Sequence, residues 1–193
     1  MHITSDISPD DLAAIRRLKR GDIGGLETLV ARYQRQAVQT AYLVTHDEPL
    51  AEDVVQDTFV RFYQRIRSFD ESRPFGPYFM RSVANAALNA AEKTSRWVQF
   101  GPDTDIQALA DLLTASESVE AQAERTRLRQ TVAAALAALP PRQRLAVVQR
   151  YYLGMTESEM AESLEAAPGT VKWLLNNARR RLRGLLRLER SVE

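Results

Sequence analysis

The sequence predicts an all-α protein in which two small helical domains are joined by an acidic linker. Apolar side chains recur every three or four residues on both sides of the middle of the chain, and no stretch alternates as a strand would. Charge is segregated: residues 1–96 carry 13 basic and 13 acidic side chains, residues 97–124 carry six acidic and no basic ones, and residues 125–193 carry 13 basic and six acidic ones. A length of 193 residues is sufficient for two such domains.

The first predicted domain, residues 8–96, contains four helices. The first follows the acidic residues Asp10 and Asp11 and ends at the glycines of residues 21–25, and the second begins at Leu26. A loop over residues 70–77, with two prolines and a glycine, separates the third helix from a fourth over residues 78–96. The third helix covers residues 51–69 and has a single apolar stripe, formed by Val55, Phe59, Phe62, Ile66 and Phe69.

Residues 97–124 form the predicted linker, because they are acidic, contain Gly101 and Pro102, and have only a weak apolar group that could make one short helix. The second predicted domain, residues 125–190, begins with an apolar helix that Pro140 and Pro141 end.

A helix-turn-helix is predicted in the second domain. Thr156 and Glu159 have the spacing of a capping box, which begins a short helix, and a brief turn leads to a basic helix that opens at Pro168. The second helix of such a motif lies in the DNA major groove. The alternative is a solvated basic helix that packs in a bundle, and Trp173 is either a core residue or a groove contact. The basic helix carries the candidate DNA-contacting residues Lys172, Trp173, Asn176, Asn177, Arg179, Arg180 and Arg183.

Two segments of the first domain carry candidate binding residues. The segment AEDVVQDTFVRFYQRIR carries acidic and amide side chains on one face near the start of a helix. Acidic side chains there also interact favourably with the helix dipole, which would explain their presence without a binding partner. RPFGPYFMRSVANAALNAAEK combines aromatic side chains with amides, a combination that suits stacking and base-edge contacts on unpaired DNA but is also typical of a core. The residues concerned are Glu52, Asp53, Gln56 and Asp57 in the first segment and Phe75, Tyr78, Phe79, Asn85 and Asn89 in the second.

In this order, the segments resemble the extracytoplasmic-function (ECF) sigma factors of bacterial RNA polymerase. The resemblance covers about residues 10–96, corresponding to sigma region 2, and 125–188, corresponding to sigma region 4. Its most specific parts are AEDVVQDTFVRFY, similar to the family's polymerase-binding helix, and LPPRQR…GMTESEMAESL…PGTVK, similar to its promoter-reading helix-turn-helix.

The resemblance implies roles for these positions. Asp53, Gln56 and Asp57 match positions that dock on the clamp helices of the polymerase β′ subunit. Asn85 matches a polar residue beside the melted strand of the minus-ten element, with Tyr78 and Asn89 as neighbouring candidates. The helix over residues 172–180 matches the one that enters the minus-35 major groove.

The same resemblance implies that the chain is a transcription initiation factor and not an enzyme. Its expected partners are core RNA polymerase, through the β′ clamp helices and the β subunit, promoter DNA and an anti-sigma factor. A helix-turn-helix repressor would leave the acidic face unexplained. A second hypothesis is a sigma-like protein that titrates an anti-sigma factor, because Ala90 and Ala91 stand where an Arg-rich run is usual and Trp173 and Leu174 where small or basic residues are usual.

Composition agrees with these expectations. There is no cysteine, the two histidines are far apart in sequence, and there is no glycine-rich phosphate loop, so we expect neither a metal centre nor a cofactor. The longest apolar run, residues 132–139, is too short to span a bilayer, and the first residues lack the pattern of a signal peptide. We therefore expect a cytoplasmic protein without membrane insertion.

Overall fold

The computed structural model of the chain describes residues 7–95 and 132–189. Within these ranges the regular secondary structure is helical, as predicted. The predicted linker, residues 97–124, and both of its boundaries lie outside the described residues. The first range contains α1 (Pro9–Lys19), α2 (Gly24–Thr45), α3 (Glu48–Gln64), a 3-10 turn (Ile66–Ser68) and α4 (Phe75–Ser95). The second contains α5 (residues 132–137), α6 (Pro141–Val147), a π-helical turn (Val148–Tyr152), α7 (Glu157–Ser163) and α8 (Pro168–Glu189).

The third and fourth helices begin earlier than predicted. Helix α3 starts at Glu48 because the Asp47 side chain accepts a hydrogen bond from the Leu50 amide at 2.9 Å and so caps the helix. Helix α4 starts at Phe75, inside the segment that the sequence predicts as a loop. Pro77 is tolerated there because the amides of a first helical turn have no intrahelical acceptor.

Helices α1 to α4 enclose an aromatic core. The apolar stripe predicted for the third helix is buried, and its last two residues follow α3 in and after the 3-10 turn. The Phe59 and Phe79 rings lie 4.2 Å apart between centroids, and those of Phe62 and Phe75 lie 4.8 Å apart. Helices α1 and α2 touch at Gly25, where an added Cβ would lie 2.3 Å from the Ala14 carbonyl oxygen. This close approach requires glycine.

The helix-turn-helix is formed by α7 and α8. The predicted capping box is present: Thr156 Oγ1 accepts from the Glu159 amide at 3.3 Å, and Glu159 Oε2 accepts from the Thr156 amide at 2.8 Å. These bonds lower the pKa of the Glu159 carboxyl group. Met160, Val171 and Leu175 are fully buried between the two helices. Between α7 and α8, Glu165 has a φ of 48°, so a side chain occupies a left-handed position that glycine would adopt more easily.

The second range packs directly on the first. Helix α6 lies against α2 and α4, and the buried apolar cluster is continuous from Val44 and Leu88 to Leu139, Leu145 and Val148. None of the helices in the described parts of the chain is long and apolar enough to cross a membrane. No group of three His, Asp or Glu side chains that could hold a metal ion occurs among residues 7–95 and 132–189.

Candidate nucleic-acid and partner interfaces

One face of α3 is acidic and exposed. Its core side carries Val55 and Phe59, which are buried, whereas Gln56 and Asp57 between them project into solvent. Asp57 makes only a loose contact with Arg61, with 3.6 Å between the carboxylate and guanidinium groups. A groove of about 370 Å³ runs between this face and the end of α4. The exposed polar residues of α3 are those that the sequence predicts: Glu52, Asp53, Gln56 and Asp57.

The candidate residues of α4 differ in accessibility. Phe75 and Phe79 are buried core residues, so only Tyr78 of the three aromatic side chains is available at the surface. Tyr78 is 40% exposed, and its ring packs edge-on against Phe69 with 5.1 Å between centroids. Asn89 is exposed and borders the groove beside α3. These two side chains can meet a ligand without rearrangement.

Asn85 is already bonded to the helix-turn-helix. Its Nδ2 donates to the Ser163 carbonyl oxygen at 2.9 Å, and its Oδ1 accepts from the Ser163 hydroxyl at 3.1 Å. The buried Gln149 amide donates to the same hydroxyl at 3.1 Å. Sequence reasoning predicted Asn85 but missed Ser163 and Gln149, because no local pattern indicates that α7 packs on α4.

Helix α8 separates its buried and basic faces as predicted. Val171, Leu175 and Ala178 are buried, together with Leu174. Trp173 is 60% exposed, so the alternative that it is a core residue is wrong. The candidate DNA-contacting side chains that are exposed are Lys172, Trp173, Asn176, Arg180 and Arg183, and those that are half-buried are Asn177 and Arg179.

The two asparagines of α8 have different surroundings. Asn177 uses both ends of its amide: Nδ2 donates to the Trp173 carbonyl oxygen at 3.0 Å, and Oδ1 accepts from Arg180 at 2.7 Å. Asn176 makes a longer contact with Arg179, at 3.5 Å. The Arg179 Nε also donates to the Tyr151 hydroxyl at 2.8 Å. Asn177 therefore orients Arg180, whereas the exposed Asn176 is better placed to meet a base.

Arg144 is the charged residue that sequence reasoning missed most completely. Its side chain is buried and donates to four backbone carbonyl oxygens. Three of these carbonyls lie at or just after the end of α5. The fourth belongs to Val44, in the last turn of α2, and accepts at 2.7 Å. Cations are favoured at helix C-termini because the carbonyl groups there carry partial negative charge. Burial lowers the pKa of Arg144 to about 10. The three carbonyls around α5 belong to Leu136, Ala137 and Leu139.

The neighbouring His46, which directly follows α2, is half-buried, and its Nε2 atom is enclosed. Burial, assisted by the charge of Arg144, lowers the pKa of His46 to about 3. The imidazole is therefore neutral at ordinary pH, and Nε2 has no hydrogen-bond partner.

Comparison with known families agrees with this arrangement. The family model for sigma-70 region 2 matches residues 29–97, and that for sigma-70 region 4 matches residues 129–182. The ECF RNA polymerase sigma factor SigW of Bacillus subtilis is 27% identical over 179 residues, which are 90% of this chain and 95% of the relative. The chain belongs to the ECF sigma factors. The RNA polymerase sigma-H factor of Pseudomonas aeruginosa is also 27% identical, over 88% of this sigma factor and 90% of the relative.

Solved structures include proteins of the same fold. CnrH, in complex with the cytosolic domain of CnrY, is 26% identical to this sigma factor and superimposes with a TM-score of 0.61 over 93% of this chain and 98% of CnrH. RpoE of Bartonella quintana, in complex with the anti-sigma factor NepR, is 21% identical with a TM-score of 0.58 over 83% of this chain and 96% of RpoE, which supports the fold. The region 2 match begins within α2 and includes α3 and α4, and the region 4 match includes α5 to α7 and most of α8.

Proposed function

We propose that this ECF sigma factor binds core RNA polymerase, directs it to promoters with specific minus-35 and minus-ten elements, and initiates transcription of a dedicated set of genes. The observation that carries the proposal is that the three sets of binding candidates lie on separate helices, each with its apolar side in a core. The sets are the acidic face of α3, the amide-bearing side of α4 and the basic face of α8.

The α3 face is proposed to dock on the clamp helices of the polymerase β′ subunit. Asp53, Gln56 and Asp57 are exposed on consecutive turns, so they can meet one partner surface. Charged groups at such a surface accelerate encounter and fix the register of the partner. The loose Asp57–Arg61 contact would be exchanged for contacts with basic groups of the polymerase.

Helix α8 is proposed to read the minus-35 element. The N-terminal part of a recognition helix contacts base edges. Lys172, Trp173 and Asn176 are exposed there, and an asparagine amide can pair with adenine through two hydrogen bonds. Arg180 and Arg183 lie further along the helix and would hold phosphates, which position the protein on DNA without selecting sequence.

Helix α4 is proposed to contact the unpaired strand of the minus-ten element. Asn85 supplies hydrogen-bonding groups for a base edge once its bonds to Ser163 are broken, and Tyr78 presents part of an aromatic ring. Stacking on an aromatic side chain contributes about 1–3 kcal/mol per base.

An anti-sigma factor is proposed as the regulator. RpoE of Bartonella quintana, which has the same fold, was solved in complex with the anti-sigma factor NepR, and we extend binding by such a partner to this protein. We place the protein in the cytoplasm, where its polymerase partner acts, and we assign it no catalytic chemistry of its own.

The test is transcription in vitro with core polymerase on a library of genomic DNA fragments, with start sites mapped on the products. We expect products from a small set of start sites that share two upstream elements. The control is the Asp53→Lys/Asp57→Lys variant, which should give none of them. Binding of an anti-sigma factor without any transcript would favour the sequestering protein instead.

A further inference from the structure

An exposed tyrosine that precedes the helix-turn-helix contacts an arginine of α8. Tyr151 is 61% exposed and lies in the π-helical turn between α6 and α7. Its hydroxyl oxygen accepts a hydrogen bond from Arg179 Nε at 2.8 Å, and the guanidinium carbon lies 5.9 Å from the centroid of the tyrosine ring. This candidate DNA-contacting arginine is therefore tied to an element outside its own helix.

The backbone that carries Tyr151 is fixed on both sides. The Leu153 amide donates to the Val148 carbonyl oxygen at 3.0 Å, which is the i to i+5 bond of a π-helix. Met155, just beyond this turn, is buried in one apolar cluster with Val171 of α8. Turns of this kind are rare and are frequently found at functional sites. The fold therefore sets where the tyrosine ring lies beside α8.

Arg179 in turn contacts Asn176, one turn earlier on the same helix. Its Nη1 donates to the Asn176 Oδ1 at 3.5 Å. Because a guanidinium has only donors, the end of the amide that faces it must be the oxygen, and Nδ2 is directed away from it. The oxygen has a second lone pair, so the amide can still meet a base edge through both of its ends. The contact selects one orientation of the amide and leaves it able to bind.

The contact between Arg179 and Asn176 is long, so it depends on where the guanidinium is held. Asn176 is exposed and has no other hydrogen-bond partner among residues 7–95 and 132–189. An arginine released from the Tyr151 hydroxyl would be free to leave the amide. The hydroxyl group therefore controls the orientation of a side chain that it does not touch.

The positive charge of Arg179 remains available to DNA. Its partners in the described parts of the chain are a neutral hydroxyl and a neutral amide, and no carboxylate there forms an ion pair with it. A guanidinium has five N–H donors, so groups are left over for a phosphate oxygen. A phosphate would hold the guanidinium from the DNA side while Tyr151 holds it from the protein side.

We propose that Tyr151 is a positioning residue for minus-35 recognition: its hydroxyl holds the Arg179 guanidinium beside Asn176, so that Arg179 binds a phosphate and Asn176 meets its base in one fixed orientation. The inference rests on the proposed function of α8. It adds a determinant of promoter selection that lies outside the recognition helix. Loss of one hydroxyl group should therefore change which sequences are selected.

Tyr151→Phe tests the proposal, because it keeps the ring and removes only the hydrogen-bonding hydroxyl. Polymerase holoenzymes with the wild-type or the altered sigma factor are used to select promoters from a library randomised in the minus-35 element. Asn176→Ala identifies the base pair that Asn176 reads. We expect Tyr151→Phe to reduce the preference at that base pair about two- to tenfold, the effect of one hydrogen bond.

Tyr152→Phe is the matched control. It removes a hydroxyl from the next residue of the same turn, and that hydroxyl makes no hydrogen bond within the described residues. The control should select the same minus-35 sequences as the wild type.

A double-mutant cycle separates positioning from a general loss of stability or affinity. In the Asn176→Ala background, Tyr151→Phe should leave the remaining base preferences unchanged, because no amide is left to orient. Arg179→Lys keeps the charge but lacks the planar fork that reaches the hydroxyl and the amide together. It should relax the same base pair while the salt dependence of binding stays that of the wild type.

Three results would overturn the proposal and leave the proposed function standing. The first is an unchanged preference in Tyr151→Phe, including weaker binding to all sequences alike. The second is an effect of Tyr151→Phe that persists in the Asn176→Ala background, and the third is an Asn176→Ala protein that selects like the wild type. If instead the wild-type holoenzyme selects no minus-35 sequence, the proposed function of α8 fails and this inference fails with it.

Discussion

Asn85 and Ser163 are 78 residues apart in sequence, yet they form two reciprocal hydrogen bonds, of 2.9 and 3.1 Å. Each bond joins region 2 to region 4, and Ser163 is the last residue of the first helix of the helix-turn-helix. The position that the family resemblance assigns to strand contact is therefore also a position that joins the two domains.

Reversing charge on the α3 face should prevent polymerase binding. Asp53→Lys/Asp57→Lys replaces two exposed carboxylates, so the fold should persist, whereas loss of charge pairs at an interface costs about 2–5 kcal/mol when they become buried on binding. Binding to core polymerase is measured by fluorescence anisotropy. Glu27→Lys, at an exposed position of α2, is the matched control. Wild-type affinity in the double variant would show that α3 is not the docking face.

Truncation of Asn176 and truncation of Asn177 should have different effects on DNA binding by α8. Asn176→Ala should cost about 1–3 kcal/mol on the preferred minus-35 element and relax selection at one base pair. Asn177→Ala should resemble Arg180→Ala, because Asn177 bonds to that guanidinium: all sequences should bind more weakly, and for Arg180→Ala the salt slope should fall by about 1. Selection of binding sites at two salt concentrations separates these effects. A changed base preference in Asn177→Ala alone would mean that α8 lies in a different register on DNA.

Arg144 should be essential for stability. Arg144→Met keeps a long apolar stem but leaves four carbonyl groups without their donor, and each unpaired group that stays away from water costs about 1–3 kcal/mol. We expect a loss of about 3 kcal/mol in the free energy of unfolding, because some carbonyls will regain water. The exposed Arg142→Met should lose less than about 1 kcal/mol. Equal urea denaturation curves for the two variants would contradict this assignment.

Stability should fall in acid because of His46. Its pKa is about 3 in the folded protein, against an ordinary value of 6.5, so below about pH 6.5 the unfolded chain binds a proton that the folded chain does not. The contribution of neutral His46 is complete above pH 6.5 and decreases by up to about 1.4 kcal/mol per pH unit as the pH falls toward 3.

His46→Asn is the comparison for this effect, because asparagine tolerates the left-handed backbone of residue 46, whose φ is 55°. Thermal unfolding of both proteins between pH 7 and about pH 4.5 gives the difference in slope. All other titrating groups are common to the two proteins, so parallel curves would show that His46 is not held neutral.

Local features of the sequence were sufficient to predict the helices and the exposed sides of α3 and α8 that carry the proposed binding residues. The stripe through Val55, Phe59 and Phe62 identifies the buried side of α3 and therefore its exposed acidic side. The capping box fixes where α7 begins. The starts of α3 and α4 were predicted too late in the sequence. The start of α3 depends on the Asp47 cap, and α4 can begin before Pro77 because the amides of a first helical turn need no intrahelical partner.

Contacts between the domains could not be predicted from local pattern. Arg144 occurs within a basic segment, and only the packing of α6 against the end of α2 shows why this arginine is buried. The same packing occupies Asn85. Helical periodicity left Trp173 either in the core or at a DNA groove. In the structure Val171 and Leu174 occupy the core side of α8, so the indole lies outside the core.

The proposed function requires that this chain enables core polymerase to open promoter DNA. Permanganate footprinting on a promoter found in the genomic library tests it most directly, because the reagent marks unpaired thymines. We predict reactive thymines just upstream of the start site with core polymerase and the wild-type protein, and none with core polymerase alone or with Asp53→Lys/Asp57→Lys. Thymines that stay unreactive with the wild-type protein, while the same core polymerase opens a control promoter with another sigma factor, would contradict the claim.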